Sequence, residues 1–129
     1  MRKTKSILWA QILVFLTIFI SFSFICAQIA TSVSEILTNP DKYDNKAVQV
    51  PGKCINVKHK VSRKGNPYTV FELADKGGSI KVFSFGYLAI NEGDKVIVKG
   101  IYQKVKMVGP YIFYNEIDAS NGEIRKIKQ

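Results

Sequence analysis

Two kinds of side chain recur together along this sequence, basic groups and aromatic rings. Lys58, Lys60, Arg63 and Lys64 stand close together, with Tyr68 just beyond them. Lys81 and Phe83 follow, then Lys104, Lys106 and Tyr111. Basic groups neutralise phosphates, and flat rings stack on unpaired bases. This is the surface chemistry that single-stranded nucleic acid or another polyanion requires. Acid–base and metal chemistry is thinner. His59 is the only histidine, no nucleophile motif is present, and Glu72, Asp75, Glu116 and Asp118 read as scattered turn or edge carboxylates. Nothing there meets the geometric demands of proton transfer, so a non-enzyme is expected. Cys54 and His59 differ in parity on an extended strand and so point to opposite faces. Two ligands are also too few for a structural zinc, and no metal or cofactor is expected.

The elements that would carry these residues begin after an apolar leader. Arg2, Lys3 and Lys5 precede a run from Ile7 to Ala30 that holds no charge. Spanning a bilayer core takes about 20 apolar residues. Positive charge before the run predicts that the chain after it is translocated. Residues 1–30 therefore read as either a cleaved signal peptide or an uncleaved anchor holding the protein on a membrane through residues 7–30. Cys26 and Ala27 offer a cleavage region, but Ile25 is large for one, and also for a lipidated-cysteine signal. The run is longer than a usual signal core. A buried core helix is the third reading. The expected location is extracytoplasmic, secreted, periplasmic or membrane-anchored.

Residues 31–129 suffice for one domain. The chain has 19 Lys and Arg against 10 Asp and Glu. Setting aside the three basic leader residues leaves 16 against 10, a formal +6. That excess suits polyanions, acidic headgroups or acidic proteins, and equally plain solubility. Cys54 is alone in the domain, so its core must hold it without a disulfide.

Ser32-Val33-Ser34-Glu35 has the form of a capping box, and Asn39-Pro40 ends the short helix it opens. From Lys46 the pattern has period two. Val48 and Val50 alternate with polar residues, Pro51-Gly52 interrupts, and the apolar parity flips to Ile55 and Val57, which predicts a bulge or bend at Gly52. A turn over Ser62–Pro67 leads to a second strand, Tyr68–Ala74, and Asp75-Lys76-Gly77-Gly78 makes a tight hairpin into a third, Ser79–Phe85. Tyr87, Leu88 and Ile90 lie in the connection that follows. A fourth strand runs over Lys95–Lys106 with a bend at Gly100, and a fifth over Tyr111–Ala119, with Ile124 and Ile127 extending the end. The fold class expected is all-β: a five-stranded Greek-key OB-fold barrel, preceded by a hydrophobic N-terminal helix and a short capping helix. An SH3-like barrel is the alternative.

The stretch Phe71-x-Leu73-x-Asp75-x-x-Gly78-x-Ile80-x-Val82 resembles the second and third strands of nucleic-acid-binding OB-folds, of which the anticodon-binding domains of class II aminoacyl-tRNA synthetases are the familiar type. Gly93-Asp94-x-Val96-x-Val98-x-Gly100 resembles their fourth strand. Small exported bacterial OB-fold proteins share the leader, helix and barrel. The membrane-anchored haem chaperone of cytochrome c maturation is similar in layout, but its haem-binding histidine near the barrel's end has no counterpart after Tyr111.

An OB-fold binds along its second and third strands and between its first–second and fourth–fifth loops. On this register Tyr68, Val70, Lys81, Phe83 and Phe85 face outward there. Lys58 and Lys60 lie beside them, Arg63 and Lys64 in the first loop, and Lys104, Lys106 and Tyr111 around the last. The expected role is a non-catalytic module for single-stranded DNA, RNA or another polyanion. An extracytoplasmic module binding a protein, peptide or envelope polymer is the alternative, and export itself favours it.

Overall fold

The computed structural model describes residues 28–128. Nearly all of the leader, with the signal and anchor readings placed on it, lies outside these residues. No helix among the described residues is long and apolar enough to cross a membrane.

Six strands and two short helices follow one another: β1 (Ile29–Ala30), α1 (Val33–Thr38), α2 (Pro40–Tyr43), β2 (Lys46–Val61), β3 (Pro67–Asp75), β4 (Gly78–Phe85), β5 (Lys95–Val108) and β6 (Tyr111–Lys126). β2, β3, β4, β6 and β5 form a ring, which the β2–β5 pairing closes. All ring contacts are antiparallel except β4–β6, a parallel contact at Lys81↔Glu116, Val82↔Ile117 and Phe83↔Asp118. The five expected strands are these five. The sixth, β1, adds parallel to β2 at Ile29↔Val48 and Ala30↔Gln49, a pairing of two residues too short for any periodicity to reveal.

Strand β2 closes the ring by serving two partners. Its first half pairs with β5 and its second with β3, and Lys53 is shared, opposite both Lys95 and Ala74. Gly52 stands at this change of partner, where a Cβ would lie 2.7 Å from Leu73 Cγ. The apolar parity does not flip there, contrary to the expected bulge at Gly52. Val48, Val50 and Cys54 all face the core. The irregularity falls between Ile55 and Lys58, at Asn56, whose φ is 53°. The Glu92 carboxylate accepts hydrogen bonds from the Asn56 and Val57 backbone N–H groups, at 3.1 and 2.5 Å. The bulge is thus stabilised from a distant loop.

The bulge also changes the relation of Cys54 to His59. Cys54 is opposite Leu73 and His59 opposite Thr69, so both lie on one side of the sheet rather than on opposite sides. Their surroundings differ. Burial, with Asp94 and Glu92 nearby, pushes the Cys54 thiol up to about 11. His59 Nε2 lies 2.9 Å from the Leu88 carbonyl oxygen. Among the described residues no group of three or more potential metal ligands is found.

The core is aliphatic with three large rings, Tyr43, Phe71 and Tyr102, among Val48, Leu73, Ile80 and Ile117. Helix α1 begins as the sequence implies, with the Ser32 hydroxyl oxygen accepting from the Glu35 N–H. Glu35 does not complete the box; its carboxylate takes hydrogen bonds from Asn39 and Tyr43 instead. Pro40 ends α1 and starts α2, a second turn of helix that the stop signal at Asn39 hides. Val33 and Ile36 bury against the barrel. Asp75, the last residue of β3, ties helix to hairpin by accepting from Ser34 N–H and Oγ at 2.9 and 2.6 Å, and from Gly77 N–H at 2.7 Å. Gly77 has no room for a side chain, because Ser34 Oγ would sit 2.2 Å from its Cβ.

β5 and β6 are longer than the barrel needs. β6 continues to Lys126, so the basic end is strand and Ile124 packs on the core. At the other end the two strands project as a hairpin through Val108↔Tyr111.

Two outcomes follow. Burial by itself would raise the Asp75 carboxyl, but the hydrogen bonds from Ser34, Gly77 and Gly78 outweigh it and hold it below the usual range. Its contribution is present above the unfolded value of about 3.9 and is lost as pH falls through the lower folded value. Urea melts of Asp75→Asn should lose that part of the acid dependence. Gly122→Ala places a Cβ 1.8 Å from the Lys99 carbonyl oxygen, so the same melts should show a loss of about 1–3 kcal/mol.

Candidate nucleic-acid interface

Residues facing each other across antiparallel strands share a face. Tyr68↔Phe85, Val70↔Phe83 and Glu72↔Lys81 therefore build the outer face of β3 and β4. The rings touch: Tyr68 and Phe83 lie 5.6 Å apart between centroids, Phe83 and Phe85 5.2 Å apart edge to face. The Asn56 bulge sets the register of the rest of β2 against β3, so that Lys58 stands opposite Val70 and Lys60 opposite Tyr68. Without that extra residue the parity of β2 would turn His59 outward and both lysines inward.

This face is the floor of a groove of about 1010 Å³. One wall is the end of β2 and its turn, with Lys58, Lys60, Ser62, Arg63 and Asn66. The other is the projecting hairpin, with Lys106, Val108, Tyr111 and Phe113. The opposite face of that hairpin carries Val105, Met107, Ile112 and Tyr114, all exposed.

Where the hairpin leaves the barrel, the groove holds a charged cluster. Lys106 Nζ lies 3.4 Å from Asp118 Oδ2 and 3.9 Å from Glu116 Oε2, and 5.2 Å from the centre of the Phe83 ring. Glu116 is 8 % exposed. Burial pushes its carboxyl above the usual range, and Asp118 adds to this against the opposing pull of Lys106 and Lys81. Burial raises Asp118 as well, yet hydrogen bonds from Ser120 and the Lys106 cation bring it below its ordinary value.

Of the residues singled out in the sequence, Lys58, Lys60, Arg63, Tyr68, Lys81, Phe83, Lys106 and Tyr111 line this one groove. Lys64 and Lys104 do not. Lys64 is exposed in the β2–β3 turn, outside the lining. Lys104 Nζ is 2.9 Å from Asp41, and its backbone N–H donates to Asp44 at 2.9 Å, so it fastens α2 to β5. Phe113 was not singled out, although it shares parity with Tyr111 on one strand. Asn56, Ser62 and Asn66 also line the groove and carry no charge or ring to mark them. Glu116 and Asp118 are neither turn nor edge residues: they pair with β4 on one side and β5 on the other.

The fold is shared with solved structures. The fold is an OB-fold. Similar structures include the crystal structure of yeast Stn1 and Ten1, at TM-score 0.60 and 10 % identity, over 83 % of this chain and 66 % of that one. The chain thus spans just under two thirds of that structure's length. The OB domain of a Thermoplasma acidophilum protein matches at TM-score 0.51 and 17 % identity, over 79 % of this chain and 90 % of that domain. The second OB-fold domain of replication protein A from Methanococcus maripaludis matches at TM-score 0.51 and 20 % identity, over 78 % of this chain and 97 % of that domain. No protein-family model and no curated protein matches the sequence.

Lys106 is the stronger of the two cations that oppose the rise of Glu116. Lys106→Met should therefore move the Glu116 carboxyl further upward in a carbon-detected NMR pH titration. Unchanged titration of Glu116 would show that the two side chains do not interact.

Proposed function

We propose that this chain is a non-catalytic OB module that binds single-stranded nucleic acid along the groove between the β2–β3 turn and the β5–β6 hairpin. The observation that carries the reading is the composition of that groove: touching rings on the floor, with Lys58, Lys60 and Arg63 on one wall and Lys106 and Tyr111 on the other. Lysines and arginines at the rim follow a phosphate chain, while Tyr68, Phe83 and Phe85 offer faces and edges to successive bases. The groove also lies where OB-folds take oligonucleotides. The likeness to a replication protein A domain supports the same reading, since such OB-folds hold single strands by stacking and charge.

Binding of a short labelled oligothymidine, followed by fluorescence anisotropy at several salt concentrations, tests this. Affinity should fall steeply as salt rises. Lys60→Ala should reduce the slope of log K against log salt by about 0.7. Phe83→Ala should cost about 1–3 kcal/mol with the slope kept. Lys104→Ala should change neither. Absence of binding at low salt would sink the proposal.

A further inference from the structure

We infer that Glu116 is a base-reading residue of this groove, accepting hydrogen bonds from an amino-bearing Watson–Crick edge, with guanine preferred. The inference rests on the nucleic-acid reading above. Glu116 lines the groove while being 92 % shielded from solvent, and its Oε2 has no hydrogen-bond partner among the described residues. Its nearest cation, Lys106 Nζ at 3.9 Å, is too far for a hydrogen bond. The neighbouring carboxylate is already committed: Asp118 Oδ1 accepts from the Ser120 N–H at 3.0 Å, and Oδ2 faces Lys106 at 3.4 Å. Of these two carboxylates, Glu116 is the one with a buried oxygen left unpartnered, free to accept from a ligand.

Lys106 explains why the ligand must bring donors. Its ammonium sits over the Phe83 ring, where a base would stack. A base arriving there displaces the ammonium, and the phosphate of the same strand gives it a new partner. Glu116 then loses the cation it pairs with, keeping only the weaker pull of Lys81, and a buried carboxylate without a hydrogen-bonded partner is costly. A featureless polyanion satisfies Lys106 and leaves Glu116 stranded. A nucleotide supplies both halves, a phosphate for the lysine and base N–H groups for the carboxylate.

The bases differ in how well they do this. Guanine presents N1–H and N2–H side by side, matching two carboxylate oxygens. Adenine and cytosine present one amino group beside a ring nitrogen acceptor. Thymine and uracil present one N–H between two carbonyl oxygens, which face the carboxylate unfavourably. Single-strand readers use these edges once a base is unpaired.

Full-length protein is titrated into labelled oligothymidine and into the same oligonucleotide with one central guanine. The guanine should tighten binding about tenfold, the lower end for a bidentate pair. The ratio of the two affinities should fall to within about twofold in Glu116→Gln and in Glu116→Ala, both checked for folding by circular dichroism. Lys104→Ala, outside the groove, should keep the wild-type ratio. Equal wild-type affinity for both oligonucleotides overturns the role of Glu116 and leaves the nucleic-acid reading standing. A guanine preference that survives in both variants overturns it as well. Failure of both oligonucleotides to bind at low salt removes the nucleic-acid reading itself.

Discussion

One strand has to satisfy two partners. β2 bonds to β5 along its first half and to β3 along its second, and the ring exists only because it bends between them. A straight strand of that length would leave either the β5 edge or the β3 edge with unpaired backbone groups, which a buried sheet does not tolerate. The bend brings a second demand, because the far half of β2 must then present the correct side chains to the groove. The extra residue at Asn56 meets it, and the Glu92 carboxylate holds the two exposed N–H groups of that bulge. Asn56 also donates to Glu72 on the groove floor, so the device that sets the register also fixes a lining side chain.

Local patterns made most of this visible in the sequence. Alternation in Tyr68–Ala74 and Ser79–Phe85 sets which residues face the core, and the Gly77-Gly78 turn sets their register. The outward positions Tyr68, Lys81 and Phe83 follow from those two facts alone. The single phase shift of β2 was legible too, since Val48 and Val50 are out of step with Val57. Its place was not. Gly52 is the conspicuous residue, but the N–H groups that need a partner find it in Glu92, whose position only the closed barrel defines. Lys104 shows the same limit from the other side. Its spacing from Lys106 puts it beside the groove, while Asp41 and Asp44, distant in sequence, hold it elsewhere.

The two walls of the groove differ physically. The β2–β3 side is polar and mobile in chemistry: lysines, an arginine, a serine and an asparagine whose long or rotatable side chains can follow a flexible backbone. The hairpin side is stiffer in composition, with Tyr111, Phe113 and Val108 supported by a continuous antiparallel ladder. In the proposed binding mode, electrostatic capture on one side and shaped contact on the other would divide affinity from discrimination, since phosphate contacts are indifferent to sequence and ring and edge contacts are not.

The close approaches at Gly52, Gly77, Gly100 and Gly122 have a bearing on how this protein would look to genetics. At each of them a Cβ would meet another atom at 2.7 Å or less. None of the four belongs to the groove lining. Random mutagenesis scored for lost function would therefore return these glycines alongside the lining residues. A map drawn from such a screen would trace the seams of the barrel before it traced the path of a ligand. Only substitutions that leave the thermal transition intact would outline the groove itself.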